Sequence, residues 1–231
     1  RLAVNTCDRR GGICAFHGTG NSSRDLVSAL GLVHPAVELL TDPPTYEQVD
    51  QAVEAMLAVC NDPGYSVSSL VVKNIENAVR VHSTLGGSTN LMMHLVAAMI
   101  YAGRRFSIHD YDRIRRRVPV PELMDYSLTG GRDIFAWAQQ CCDGHIGGID
   151  TVLYELRNNQ VPITAEAPTM AGKSWAARLK NGRRLSADNV KDNPIILSRP
   201  RRAASGVDVL SGNFFESAVV KISGMPEEQV D

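Results

Sequence analysis

Apolar residues in this chain recur mostly at helical spacing, and polar punctuation marks where each helix should start and stop. Tyr46, Val49, Val53, Met56 and Cys60 form one stripe opposite Glu47, Asp50, Gln51 and Glu54. That pattern predicts an amphipathic helix lying on the surface of the core. Asp42-Pro43-Pro44-Thr45 leads into it, and Thr45 and Gln48 are spaced for a capping box. Asp62-Pro63-Gly64 breaks the chain, and a second helix is predicted from Ser68 to Thr84. Gly86-Gly87 then supplies a tight turn, and Ser88, Thr89 and Asn90 are each competent to cap the helix that follows. That helix, Asn90 to Ala102, is apolar nearly all round and is expected to be buried, with Gly103 as its stop. Residues 1–23 read as a loop, followed by a short helix over 24–32 capped by Ser22 or Ser23. Three more helices fall near 108–117, 132–141 and 148–158, the last with Ile149, Val152, Leu153 and Leu156 on one stripe.

Beyond Gln160 the pattern changes. Val161 to Thr164 and Ile195 to Leu197 are short β-like runs in polar surroundings, and Arg199 to Gly206 reads as a linker. Val207 to Leu210 and Ala218 to Ile222 have strand composition. There are no internal repeats and no low-complexity segments, and a boundary is placed near residue 200.

With 231 residues, 44% of them hydrophobic, the chain is long enough for a real core. Its net charge of −1 gives no general attraction for nucleic acid. The basic run Arg113, Arg115, Arg116 and Arg117 follows a helical pattern and is expected to be a solvated face. No apolar run approaches the roughly 20 residues that span a bilayer. Five cysteines, Cys7, Cys14, Cys60, Cys141 and Cys142, form an odd set that favours reduced thiols and a cytoplasmic or organellar-matrix setting. Adjacent Cys141 and Cys142 fall on different faces of a helix, so at least one is expected to be plain core.

Several residues could carry chemistry. Cys14 follows Gly11-Gly12-Ile13, and a glycine-rich approach lets backbone amides face a sulfur ligand; the alternative is a buried, unreactive thiol. Cys7 is a possible neighbour to such a site. Cys14 and His17 have the spacing of half a zinc site, without a second half. Gly18 to Ser23 precedes a helix and could offer amides to an anion such as a carboxylate, or could simply turn the chain. His82 and His94 are read as hydrogen-bonded structural histidines, and Glu76 and Asn77 as packing residues.

Four blocks, in order, resemble the dihydroxy-acid and sugar-acid dehydratase family. They are Gly11-Gly12-Ile13-Cys14; Ile75 to Ala78 through Val81-His82 to Gly86-Gly87-Ser88-Thr89-Asn90-Leu91 and His94; Asp110 to Ile114 with Arg117-Val118-Pro119; and Gly206 to Phe214 with Val220-Lys221. Residues 161–200 match poorly, and Cys142 to Gly148 departs from the family's string around its histidine, so no role passes to His145. The resemblance implies an α/β fold. Residues 1–199 would be the mainly helical central and C-terminal part of a cluster-binding N-terminal domain, and 200–231 a linker and the first strands of a C-terminal β-barrel-like domain.

It further implies a hydro-lyase that converts a 2,3-dihydroxy carboxylic acid to a 2-keto acid. An iron–sulfur cluster (2Fe–2S or 4Fe–4S) and Mg2+ would assist. Cys14 would be one of three cysteine ligands, the other two and the magnesium ligands lying outside these residues, and the base a serine of the β-domain. The pairing of Val81-His82 with Gly86 to Leu91 looks closer to sugar-acid (aldonate) dehydratases than to the branched-chain biosynthetic enzyme, which is the alternative. Expected partners are a small hydroxy acid and further copies of the protein, with neither nucleic acid nor membrane. Because the chain starts at Arg1 inside a family motif, it is expected to be an excerpt, inactive alone. A non-catalytic helical interaction module is the rival reading.

Overall fold

The computed structural model describes residues 13–225, and Cys7 and glycines 11 and 12 lie outside them. Seven helices of two or more turns come first: α1 (Thr19–Ala29), α2 (Tyr46–Val59), α3 (Val67–Leu85), α4 (Asn90–Tyr101), α5 (Ile108–Arg117), α6 (Ile134–Cys142) and α7 (Ile149–Asn158). Two single-turn helices follow, α8 (Trp175–Arg178) and α9 (Gly182–Leu185). Strands β1 (Val207–Leu210) and β2 (Ala218–Lys221) then pair antiparallel, Val207 opposite Lys221 and Leu210 opposite Ala218, as a two-stranded sheet that does not close. The described chain is therefore mainly helical, with strands only near its C-terminal end.

Helix α3 is the centre. It packs against α1, α4, α5, α7 and β1, and from Asn77 to Leu85 every residue is buried. Polar residues survive there because each is hydrogen-bonded. Asn77 exchanges two bonds with the backbone of Thr164, and Asn74 accepts from the Trp175 indole at 2.6 Å while donating to Leu70 and Pro168 carbonyls. Thr84 Oγ1 donates to Pro121 O. The expectation that α4 would be the buried helix is corrected. Its Leu91, Met92, Leu95 and Met99 are inside, but Met93, Ile100 and Tyr101 face out. Uniform apolarity says how much surface a helix should bury, not how many neighbours surround it.

The amphipathic helix α2 forms with its Thr45–Gln48 capping box. It does not lie on the core as expected, because only Val59 is buried and Tyr46, Val49, Val53 and Met56 are exposed. Helix α1 starts at Thr19, earlier than expected, so the segment read as a loop is its first turn; neither Ser22 nor Ser23 caps it, the N-cap being Gly18. It ends before Gly31, whose φ is +74°.

Val161 to Thr164 is not a strand. Thr164 N donates to Asn77 Oδ1, and Thr164 O accepts from Asn77 Nδ2 and Ala167 N instead of from a neighbouring strand. Ile196 makes a single β-bridge with Met124. Nor is the arginine run of α5 only a solvated face. Arg115 is 7% exposed and joins Asp112 to Asp208, and Arg116 reaches Asp208 and Val209 O, pinning β1 to α5. Stretch 199–206 is likewise fastened, with Arg201 and Arg202 bonded to the Glu122 backbone and Gly206 N to Ser83 O. No described helix is long and apolar enough to cross a membrane.

Candidate functional site

The segment Ile13 to His17 leads through a bend at Ala15 and Phe16 into α1, and its side chains alternate between core and surface. Ile13, Ala15 and His17 are buried, while Cys14 and Phe16 face outward. Asn21, buried in the first turn of α1, sets this course by donating to Cys14 O at 2.6 Å and Phe16 O at 2.8 Å. Ala15 O accepts from Ile134 N, and His17 N donates to the Tyr126 hydroxyl at 3.1 Å. Lys221 reaches from β2 to donate to His17 O at 3.0 Å, and burial lowers its pKa. Five hydrogen bonds with four residues, Asn21, Ile134, Tyr126 and Lys221, fasten this segment.

Cys14 is a free, exposed thiol, and its sulfur accepts the Phe16 amide at 3.3 Å. An accessible sulfur with an N–H aimed at it suits a thiolate ligand, whose charge such donors stabilise. Among the described residues the Cys14 sulfur is exposed and not packed into the core. Among the described residues no group of three or more His, Cys, Asp or Glu could hold a metal ion. His17 is turned away from any zinc role. Its Nε2 lies 3.0 Å from Asp25 Oδ2, both side chains being buried, and His17 Nδ1 and Asp25 Oδ1 have no hydrogen-bond partner among the described residues.

The turn after α3 closes the other side. Gly86 has φ +61°, and Gly206 approaches so closely that a Cβ on Gly206 would lie 2.6 Å from Gly86 Cα. A Cβ on Gly87 would meet the His82 ring at 2.3 Å. Burial holds the His82 pKa down to about 4, so its ring is neutral. Its Nε2 lies 2.9 Å from Ser88 O, which can only accept, so Nε2 carries the proton. Nδ1 therefore accepts from the Tyr111 hydroxyl at 2.7 Å, and that oxygen in turn accepts from Ser83 Oγ at 2.9 Å. Every polar atom of His82 is committed, so it acts as a structural histidine, as expected. His94 is exposed and lacks such a network, and His145 is exposed on the α6–α7 loop.

Ser88, Thr89 and Asn90 do not cap α4, contrary to expectation. Thr89 occupies the N-cap position in helical conformation without a side-chain cap bond. Instead Ser88 N donates to Ser22 Oγ, Ser88 Oγ pairs with Thr19 Oγ1 at 3.0 Å, and Asn90 donates to Thr19 Oγ1 at 3.1 Å. Ser88 and Asn90 thus tie the start of α4 to the start of α1, beside the Cys14 segment. Asp25 and Tyr126 escaped the sequence reading, and Asn21 and Lys221 were named there without these contacts. Nothing local marks them, since their partners are set by the fold.

A family model described as dihydroxy-acid/6-phosphogluconate dehydratase N-terminal matches residues 2–178. Dihydroxy-acid dehydratases from Sulfurovum sp., Oceanobacillus iheyensis and Aliarcobacter butzleri are 28%, 30% and 26% identical to the chain. These alignments cover 97%, 97% and 99% of the chain but 39%, 38% and 40% of the relatives. The chain thus spans about 40% of the length of the curated relatives it matches.

Proposed function

The chain belongs to the dihydroxy-acid/6-phosphogluconate dehydratase family, and from that premise we propose that the protein containing it removes water from a 2,3-dihydroxy carboxylic acid to give a 2-keto acid. The C2 proton and the C3 hydroxyl leave as water, and the resulting enol takes a proton at C3 and loses the proton of its C2 hydroxyl to become the ketone. We assign Cys14 as one thiolate ligand of an iron–sulfur cluster. When bound, the cluster would supply a Lewis-acidic iron toward the 3-hydroxyl, and Mg2+, held by residues outside these 231, would fix the substrate. The residues of this chain position and exclude. Asn21, Tyr126 and Lys221 hold the Cys14 segment in one conformation. The first turn of α1, whose N-cap is Gly18, offers unpaired backbone N–H groups and a positive dipole end to the substrate carboxylate. The base is proposed to lie beyond the chain, in the β-domain that β1 and β2 begin.

A sugar acid is our preferred substrate, on the pairing of Val81-His82 with the Gly86 to Leu91 turn. His82 contributes to that choice only through the turn it holds, being fully engaged inside the protein. The names of the relatives favour a second reading, the dihydroxy-acid dehydratase of branched-chain biosynthesis. We further propose a homo-oligomer of the cytoplasm or an organellar matrix.

The observation that carries this reading is the exposed Cys14 sulfur with the Phe16 amide directed at it. Anaerobically purified full-length protein should be brown and active. Cys14→Ser should lose most of the visible absorption and the turnover, because a serine oxygen is a poorer ligand for this iron. The 231-residue chain, reconstituted in parallel with iron and sulfide, should hold no stable cluster and form no 2-keto acid. Undiminished iron and sulfide in the mutant would remove Cys14 from the site, and turnover by the chain alone would place the missing groups within it.

A further inference from the structure

Residues 167–187, between Glu166 and Asp188, carry five cations (Lys173, Arg178, Lys180, Arg183 and Arg184) and no carboxylate. This stretch folds as α8 and α9 against the start of α7, leaving a cleft of about 280 Å3 lined by Asp150, Arg178, Asn181 and Arg184. Arg178 is its fixed element. Its guanidinium stacks on the Trp175 ring, 4.3 Å from the centroid, and its side chain is only 4% exposed. Nη2 stands 2.8 Å from Asp150 Oδ1, while Nε and Nη1 have no hydrogen-bond partner among the described residues. These two nitrogens are sealed from the cleft, so Arg178 acts on a bound anion through its charge and not through hydrogen bonds from them. Arg184 is exposed at the rim and makes no ion pair with any described residue, and Asn181 adds an amide. The N-terminus of α7 borders the same cleft through Gly147, adding a favourable dipole.

We infer that this cleft is a second binding site, taking the oxyanion head of a small metabolite, either a phosphate monoester or a carboxylate. Arg184 and Asn181 hold the anion at the rim, and Arg178, pre-set by Trp175 and Asp150, supplies positive charge from the floor. Two carboxyls stand near. Asp150 is neutralised by Arg178, and Glu38, which lines the adjoining hollow, is bonded to Ile149 N. The cleft is at the small end for ligand pockets, which fits a compact molecule. It lies across α7 and α8, none of residues 13–17 lines it, and the inference does not rest on the proposed dehydration.

The experiment is calorimetric titration of the full-length protein with inorganic phosphate and, separately, with malonate, a carboxylate without hydroxyls, at constant ionic strength. Saturable binding of either is expected, weakened about tenfold in Arg184→Gln, the loss of one charge-assisted hydrogen bond. Arg184 is exposed, so this variant should melt like wild type. Arg178→Gln should abolish binding, and because Arg178 is also structural, its result counts only alongside Arg184→Gln. Phosphate binding alone identifies a phosphate monoester, malonate binding alone a carboxylate, and both a general oxyanion site. Absence of saturable binding by both probes, or binding that Arg184→Gln leaves unchanged, overturns the inference.

Discussion

Glu38 should make this protein lose stability as pH rises from about 4.5 to about 7. Its Oε1 accepts from Ile149 N at 2.8 Å and so caps α7 from a distant part of the chain. Burial pushes its pKa up from 4.5 to about 7; Arg178 opposes that rise, whereas Asp150 and Asp25 add to it. The folded pKa lies above the unfolded one, so the stability gained from the neutral acid is complete below about 4.5 and is lost as pH climbs through about 7. The shift is 7 − 4.5 pKa units, which at 1.36 kcal/mol per unit is about 3 kcal/mol. That figure is a ceiling, because the carboxyl keeps partial access to solvent. Glu38→Gln retains an oxygen acceptor for Ile149 N and cannot titrate. Urea unfolding of both proteins at steps from pH 4 to 8.5 isolates this group, since other titrations cancel in the difference. The two curves should coincide near pH 4.5, diverge in favour of glutamine up to about pH 7, and then run parallel about 3 kcal/mol apart at most. A difference that stays flat across this range, or a glutamine variant that falls behind as pH rises, would show that the acid is not destabilised by burial here.

Two further outcomes follow from the turn at the end of α3. Gly86→Ala should cost about 2–5 kcal/mol, from the left-handed backbone and from overpacking, because its new Cβ would lie 2.1 Å from Ser223 Cβ. The double variant with Ser223→Gly should recover the packing part, and wild-type melting of Gly86→Ala would refute the close approach. Tyr111→Phe leaves His82 Nδ1 without its donor and should cost about 1–3 kcal/mol in unfolding free energy. Nitrogen NMR of the wild type should show His82 neutral with the proton on Nε2 down to about pH 4. Because that pKa is depressed, this contribution is present above the unfolded value of 6.5 and is lost as pH falls toward about 4. A ring already charged at pH 6 would contradict the assigned network.

What was legible in the sequence is what one or two turns of chain can encode. The Thr45–Gln48 box, the stop at Gly103 and the stripe of Ile149, Val152, Leu153 and Leu156 all came out as read, since each depends on residues within about four positions. The glycines at the end of α3 were legible as a turn. Tertiary structure decided everything that depends on which surfaces meet. Helix α3, studded with Asn74, Asn77, Arg80 and His82, looked less buried than α4 and proved to be the centre, because partners far along the chain satisfy its polar groups. Ser88 and Asn90 had the chemistry of caps, yet found Thr19 closer to hand than their own helix. The outward course of Cys14 depends on Asn21 and on Lys221, which lies 204 positions beyond the carbonyl it holds. Periodicity and capping are local hydrogen-bond physics and can be read directly. Long-range pairing selects among many polar groups of equal local merit, and only the packed chain makes that selection.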